Sequence, residues 1–273
     1  MSQQMSNTKS IAVILGSAYQ NSDLSNVRYN EISVDTSWGT QTIYRVSDTK
    51  MPAYLLYRHN RNDHLLPHQI PYRRMVAALK EVNCGALVST SSAAALVTDI
   101  SLFKPLLITD IIMPENRLPD GSTCTMFPEH TDGQGHLILS EGLISQSLNA
   151  QLKAISKNIP DQKQRDIVFA YAGGPRSKTQ AENRMWALLG AHVNSMTLAP
   201  EIVLANEMEI PCAGFVIAHK YSIPGISNPK NSDDIDLQLQ KARDSFETII
   251  TRFLMEGQPV PFANHIYRYD DRI

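Results

Sequence analysis

Two basic side chains directly follow a short apolar segment and could together hold a small anion. Arg58 and His59 come after Ala53–Tyr57, which has the composition of a buried strand. A guanidinium presents a planar fork of donors and keeps its charge throughout the physiological pH range, and the imidazole adds a directional donor. The same two residues could equally form a surface pair with no ligand, because exposed charges cost a protein little.

A second group of donors is the hydroxyl-rich segment that runs from Ser89 to Ser92. It follows the apolar segment Ala86–Val88 and precedes three alanines. We therefore expect it at a turn between a strand and a helix, where hydroxyls and main-chain N–H groups can cradle phosphate. Gly16-Ser17 similarly ends the apolar segment Ile11–Leu15. Loops of this kind often only cap a helix, so that alternative stays open.

Three further polar residues stand at predicted helix starts or turns, and each has a structural alternative. Thr197 could supply a hydroxyl near the helix that opens at Pro200-Glu201, or could simply cap it. Glu182 could hold a sugar hydroxyl or pair with Arg184 or Arg58, and His136 could reach a ligand or close a turn. The sequence contains no GxGxxG, GxxxxGK[ST] or GxSxG motif, which argues against dinucleotide, P-loop and serine-hydrolase sites.

The elements that must position these residues alternate between strand and helix. This order predicts an α/β fold with a mixed, mostly parallel sheet flanked by helices. Ligands of such sheets bind beyond the carboxyl ends of the strands, which is where the candidate donors stand. The apolar, strand-like segments are Ile11–Leu15, Ala53–Tyr57, Ala86–Val88, Leu106–Met113, Ile167–Tyr171 and Ala213–Ile217, and the predicted helices are Tyr72–Val82, Ser145–Ile159, Thr179–Leu189, Ala199–Met208 and Ile235–Glu256.

A single domain accounts for most of the chain. We expect it over 9–257, after a disordered N-terminus at 1–8 and before a tail at 258–273. The tail carries several aromatic residues and is expected to dock on its own subunit or on a neighbouring one. Pro114–Gly135 is predicted to be a long ordered loop, and loops of that length are often functional.

Composition limits the possible partners. The chain has 273 residues, of which 42% are hydrophobic and 19% charged, with a formal net charge of −2. A chain with this balance of charges lacks the excess of positive charge that binding to nucleic acid or to an anionic membrane requires. Three widely spaced cysteines predict neither a disulfide framework nor a zinc site. A polar N-terminus without a signal region and the lack of a long apolar run predict a soluble cytoplasmic protein.

Taken together, the motifs resemble those of the trimeric nucleoside phosphorylases, in particular the 5′-methylthioadenosine phosphorylase type. The segment from Tyr57 to Cys84 resembles the family pattern RHGRxHxxxP followed by YxxxxxALKExGC. Gly174-Pro175-Arg176 with Ala181-Glu182 is similar to GPRFxSxAE, and Asn194–Ala205 is similar to NMTxxPExxLA. The likeness runs from about Ile11 to Tyr221, with several motifs in the same order and spacing.

This resemblance implies a site for phosphate as co-substrate, with no other cofactor and no metal. The phosphate donors that it implies are Ser17, Arg58, His59, Ser91 and Thr197. The positions that it places around the ribose or the rest of the substrate are Met196, Ser92, Ala93, Gly173, Ser177 and His136. His136 falls where the family sends a residue into the pocket of a neighbouring subunit, so the resemblance implies a homotrimer whose sites depend on assembly.

The departures from the family pattern are concentrated at the positions that would contact the nucleobase. Ser177 replaces the phenylalanine that would stack on the purine, and Gly173 replaces a glutamate. Lys220 replaces the aspartate that would bind purine N7, and His219 precedes it. Lys220 and His219 are therefore the candidate catalytic residues. Either Lys220 faces the leaving group, or it turns outward to solvent and His219 or Ser222 faces the base. The resemblance therefore does not imply that this chain shares the family's specificity for adenine.

The leading functional hypothesis is a pentosyltransferase that cleaves a nucleoside-like substrate by phosphorolysis. Its partners would be a small nucleoside and phosphate, with no nucleic acid and no membrane. Two alternatives stay open: a nucleoside hydrolase, in which water replaces phosphate, and a nucleoside-binding protein that has lost catalysis. The rebuilt base pocket gives the last alternative weight, because function depends on sites rather than on folds.

Overall fold

The computed structural model describes residues 8–19, 24–132, 134–156, 166–228 and 232–268. The predicted disorder at the N-terminus and the last residues of the tail therefore lie almost wholly outside the described residues. The strands are β1 Ser10–Leu15, β2 Tyr29–Thr36, β3 Gly39–Val46, β4 Ala53–Tyr57, β5 Cys84–Ala95, β6 Pro105–Leu107, β7 Asp110–Ile112, β8 Gly135–Ile138, β9 Val168–Tyr171, β10 Val193–Ser195, β11 Cys212–Tyr221 and β12 His265–Arg268. The helices are α1 Tyr72–Glu81, α2 Gln146–Ile155, α3 Gln180–Leu188, α4 Ala199–Glu207 and α5 Ser232–Glu256.

One large mixed sheet organises the molecule. Its strands follow the order β2-β3-β4-β1-β5-β10-β9-β7, and β11 pairs with both β5 and β6. The pairs β1–β4, β1–β5, β11–β5, β10–β9 and β7–β9 are parallel. The hairpin β2–β3 and the pairs β3–β4, β10–β5 and β11–β6 are antiparallel. The predicted α/β fold with a mixed, mostly parallel sheet flanked by helices is confirmed.

Both faces of the sheet are buried at β1, as the continuous apolar sequence of this strand requires. Alternate residues of a strand point to opposite faces. Ala12 and Ile14 accordingly belong to the cluster that includes α1, whereas Ile11, Val13 and Leu15 belong to the cluster that includes α5. The helix residues in these clusters include Met75, Val76 and Leu79 of α1 and Phe246, Ile250 and Phe253 of α5.

Sequence reasoning located most helices but misjudged the hydroxyl-rich segment. β5 does not end at Val88: it continues through Ala95, so Ser89–Ser92 lie within a strand and not at a turn before a helix. The continuation is stabilised because β11 pairs with β5 from Cys212 to Tyr221. The segment Leu106–Met113 is also divided, between β6 and β7, which pair with different strands.

The tail docks on its own chain. β12 pairs antiparallel with β8 in a separate two-stranded sheet, with Tyr267 opposite His136. Their ring centroids are 5.2 Å apart. The loop predicted over Pro114–Gly135 is ordered where it is described, and Arg73 of α1 donates to the main-chain oxygens of Thr123 and Thr125 within it. No helix in the described parts of the chain has the length and apolar character needed to cross a membrane.

Candidate active site

The site begins where the carboxyl ends of β1 and β4 meet the middle of β5. The N–H of Gly16, just after β1, donates to Thr90 Oγ1 at 3.0 Å, and this hydroxyl donates to the carbonyl of Ile14 at 2.9 Å. A Cβ at Gly16 would lie 2.8 Å from the Thr90 carbonyl oxygen and 3.0 Å from Arg58 Nη1. Only glycine allows the main chain after β1 to approach β5 and Arg58 this closely. Gly16 therefore brings the end of β1 into contact with both.

Arg58 is held in the interior by an acid that lies far away in the sequence. Its Nε donates to Glu201 Oε1 at 2.7 Å and its Nη2 donates to Ser89 Oγ at 2.8 Å. The Ser89 hydroxyl in turn donates to the same Glu201 oxygen at 2.9 Å. Both charged side chains are fully buried. Arg58 Nη1 has no hydrogen-bond partner in the described part of the chain, so one buried donor of a fixed guanidinium remains available.

Two predicted hydroxyl donors gather near the same point. Ser91 Oγ lies 3.0 Å from Thr197 Oγ1 and 3.2 Å from Ser195 Oγ. Ser91 and Thr197 are both buried. Thr197 is followed by Leu198, whose φ of 79° is unusual for a residue with a side chain, and α4 starts at the next residue. Such backbone conformations often occur at functional sites, and here the turn places Thr197 against Ser91.

The remaining two predicted phosphate ligands border this cluster. Ser17 is exposed and begins a short 3-10 helix directly after Gly16. His59 is nearly buried, and its Nδ1 lies 2.7 Å from the carbonyl oxygen of Leu65. A carbonyl only accepts, so Nδ1 carries the hydrogen and Nε2 is left for a ligand. Burial, then the charge of Arg58, lowers the pKa of His59, which favours the neutral imidazole, whose Nε2 accepts a hydrogen bond.

Two residues expected around the base, His219 and Lys220, lie in the last part of β11. A bulge in β11 at His219 sets Ala218 opposite Ala93 and Lys220 opposite Ala94. Burial, then the neighbouring charge of Lys220, lowers the pKa of His219. Lys220 itself is exposed.

The loop after β9 packs against Met196, one of the residues expected around the ribose. A Cβ at Gly174 would lie 2.8 Å from Met196 Sδ, so this loop packs directly on Met196. Gly173 and Ser177 are exposed, Ser92 is half-buried and Ala93 is buried. His136, by contrast, stands exposed on β8, where it pairs with the tail, so its expected contribution to a neighbouring subunit stays a prediction.

Sequence reasoning did not assign roles to several residues that build the site. The sequence indicates Glu201 only as part of a motif, yet this acid anchors Arg58. Its signal was present in the sequence, because an acid inside the otherwise apolar first turns of α4 needs a buried partner. The hydroxyls of Tyr72 and Tyr171 are buried without a partner in the described structure. Burial, then the charge of Glu201, raises the pKa of both.

Glu182 has a structural role, and its partner is Arg176 instead of the expected Arg184 or Arg58. It caps α3 together with Thr179 and accepts two hydrogen bonds from Arg176, at 2.7 and 2.9 Å. Across the described residues, His, Cys, Asp and Glu side chains form no group of three or more that could hold a metal ion.

Comparison with known proteins identifies the family. The model of the phosphorylase superfamily matches residues 10–255. The chain belongs to the phosphorylase superfamily. It is 30% identical over 244 residues to a probable 6-oxopurine nucleoside phosphorylase from Thermococcus kodakarensis, which covers 86% of this chain and 88% of that protein.

Two further relatives extend this assignment. The chain is 26% identical over 196 residues to S-methyl-5′-thioadenosine phosphorylase 1 from Puccinia graminis, and the match covers 67% of this chain and 62% of the relative. The fold of this chain matches that of a methylthioadenosine phosphorylase from Schistosoma mansoni, with a TM-score of 0.74 at 20% sequence identity, and the match covers 89% of each chain. The family and the fold that the phosphorylase superfamily motifs predicted are thereby confirmed.

Proposed function

We propose that this member of the phosphorylase superfamily is a pentosyltransferase that cleaves the glycosidic bond of a nucleoside with phosphate. The observation that carries the proposal is that the buried Nη1 of Arg58, which lies beside Gly16, has no hydrogen-bond partner among the described residues. A buried charged donor without a partner costs free energy unless a ligand completes its hydrogen bonds. Phosphate, with its several acceptor oxygens, fits this donor and the adjoining hydroxyls of Ser91 and Thr197.

The reaction follows from the placement of that anion. A phosphate oxygen attacks the anomeric carbon while the bond from this carbon to the base nitrogen breaks, and the base leaves with the bonding electron pair. Positioning of the anion against a sugar that develops positive charge lowers the barrier. In this proposal the ribose binds near Met196, Ser92 and Ala93, which adjoin the phosphate ligands Thr197 and Ser91 in the sequence.

The base is proposed to differ from adenine. Lys220 offers three N–H donors and no acceptor, so it suits an oxygen or a negative charge on the leaving group. The relative from Thermococcus kodakarensis carries the name of a 6-oxopurine enzyme, which supports a base with carbonyl oxygens. Gly173 and Ser177 leave room at this end because both have small side chains.

A homotrimer completes the proposal. His136 is exposed in the single chain, close to the tail strand β12. In a trimer it would reach the substrate bound by the neighbouring subunit, as the family resemblance implies. This arrangement would make activity depend on assembly.

A screen of nucleosides with and without inorganic phosphate tests the reaction. The substrates are adenosine, 5′-methylthioadenosine, inosine and xanthosine, and both base and sugar products are measured. We expect base release that requires phosphate, with a sugar 1-phosphate as the second product. Base release that yields free sugar without phosphate would establish the hydrolase instead. Nucleoside binding in calorimetry without any base release would establish the non-catalytic alternative.

A further inference from the structure

Tyr171 ends β9, and its side chain lies on the face of the sheet that carries the hydroxyls of Ser91 and Ser195. Tyr171 pairs in parallel register with Ser195 of β10, and residues paired in this way point to the same face of a sheet. Ser195 Oγ lies 3.2 Å from Ser91 Oγ, which also contacts Thr197. The ring of Tyr171 therefore starts one strand away from the proposed phosphate ligands.

The end of β9 belongs to the ligand side of the sheet. β10 runs antiparallel to β5, with Asn194 opposite Ala94, so it leads back towards the hydroxyl-rich part of β5. β1 runs parallel to β5, with Ile14 opposite Ser89, and reaches the same part from the other side. β9 runs alongside β10. Tyr171 therefore stands where the carboxyl ends of several strands converge, which is where α/β sheets bind ligands.

The hydroxyl of Tyr171 borders a space that the missing side chain of Gly173 leaves open. A Cβ at Gly173 would lie 3.7 Å from Tyr171 Oη, and apart from the adjoining residues no other heavy atom of the described structure lies within 4 Å of that point. Gly173 is exposed, and its φ lies outside the left-handed region. Neither the backbone nor a close neighbour requires a glycine here, so the space can receive a ligand group.

The hydroxyl that borders this space lacks a partner. Tyr171 Oη is buried and forms no hydrogen bond with the described residues. Such a group costs free energy unless a ligand completes its hydrogen bonds. Burial, then the charge of Glu201, raises the pKa of Tyr171, so the phenol keeps its proton and can both donate and accept. A hydroxyl of the ligand, which also donates and accepts, would match it.

The position of the space indicates which hydroxyl this would be. The next residue, Gly174, packs on Met196, because a Cβ at Gly174 would lie 2.8 Å from Met196 Sδ, and Met196 is expected around the ribose. The loop then continues to Ser177, which is expected near the base. The space at Gly173 thus lies between the sugar and the base. In a nucleoside the 2′-hydroxyl is on the carbon next to the anomeric carbon and is the sugar hydroxyl nearest the base.

We propose that Tyr171 is a specificity-determining residue whose hydroxyl binds the 2′-hydroxyl of the nucleoside in the space beside Gly173, so that ribonucleosides are favoured over 2′-deoxyribonucleosides. This inference rests on the proposed function and adds a residue to its site. When the glycosidic bond breaks, the electron pair leaves with the base and positive charge develops at the anomeric carbon. This charge makes the adjacent 2′-hydroxyl a stronger donor, so its hydrogen bond to Tyr171 Oη strengthens in the transition state.

Kinetics with deoxynucleosides test the contact. Inosine and adenosine are compared with their 2′-deoxy and 3′-deoxy forms in wild type, Tyr171→Phe and, as a matched control, Tyr54→Phe. Tyr54 is as buried as Tyr171, with 9% of each exposed, but lies near the start of β4. Tyr171→Phe should lower kcat/KM about 3- to 10-fold for substrates that carry the 2′-hydroxyl, as expected for one hydrogen bond. The 2′-deoxy forms should be nearly unaffected, and Tyr54→Phe should change none of the values. Equal losses with and without the 2′-hydroxyl would overturn the contact.

Gly173→Ala tests the space independently of the hydroxyl. The added methyl group fits beside Tyr171, because 3.7 Å is an ordinary van der Waals contact, but it occupies the position proposed for the 2′-hydroxyl. We therefore expect kcat/KM to fall for the ribonucleosides and the preference to shift towards the 2′-deoxy forms. A preference that stays as in wild type would place the 2′-hydroxyl elsewhere. Both variants should unfold at the wild-type temperature, since neither removes a hydrogen bond of the described structure.

Binding of the sugar product separates this inference from the proposed function. Ribose 1-phosphate and 2-deoxyribose 1-phosphate are titrated into wild type and Tyr171→Phe by calorimetry. Tighter binding of ribose 1-phosphate to wild type, with the difference lost in Tyr171→Phe, supports the contact even if none of the tested nucleosides is cleaved. Equal affinities of wild type for the two sugars overturn the contact and leave phosphorolysis intact. If neither sugar phosphate binds to wild type, the proposed function fails and the contact fails with it.

Discussion

Glu201 and Arg58 are 143 residues apart in the sequence, yet Glu201 Oε1 lies 2.7 Å from Arg58 Nε and both side chains are fully buried. Glu201 occupies one edge of the guanidinium, and Ser89 occupies part of the other. Arg58 therefore has a fixed orientation before any ligand binds. Its Nη1 has no hydrogen-bond partner in the described part of the chain. A site ordered in advance binds an anion without the entropy cost of immobilising a long side chain.

The buried pair should be coupled in stability. Arg58→Met or Glu201→Leu alone leaves one charge in the interior without its partner, and each should destabilise the fold by about 3–5 kcal/mol. The double variant removes both charges and should lose much less than the sum of the two single changes. Urea unfolding of the four proteins measures this coupling. Additive losses would show that the two side chains do not depend on each other.

The Thr197 hydroxyl should contribute to phosphate binding. Thr197→Val keeps the shape of the side chain but removes the donor that faces Ser91. We expect the KM for phosphate to rise about tenfold, which corresponds to about 1.4 kcal/mol for one hydrogen bond. Thr248→Val on the exposed side of α5 is the matched control. An unchanged KM for phosphate in Thr197→Val would place the anion elsewhere.

Assembly should be necessary for full activity. Light scattering should give three times the mass of the chain. His136→Ala should lower kcat/KM for the nucleoside while the free energy of unfolding stays nearly unchanged, because His136 is exposed on β8. A monomer with full activity, or a fully active His136→Ala, would show that no neighbouring subunit contributes this residue.

The sequence alone determined the local elements and the chemistry of the donors. α1 spans Tyr72–Glu81 as its helical spacing predicted, and Thr179 and Leu189 cap the two ends of α3. The exposed hairpin β2–β3 was not predicted. Its residues are mostly half-buried or exposed, so its sequence carries little of the apolar signal on which strand prediction depends.

Only the tertiary structure decided which donors act together. Ser89–Ser92 are read from sequence as a turn, because a run of hydroxyls ends the apolar signal of the strand. In the fold, pairing with β11 carries β5 on through Ala95 and turns Ser91 towards Thr197. The link between Arg58 and Glu201 likewise joins distant segments. Such contacts have no local sequence signal, because they arise from sheet register and from burial that excludes water.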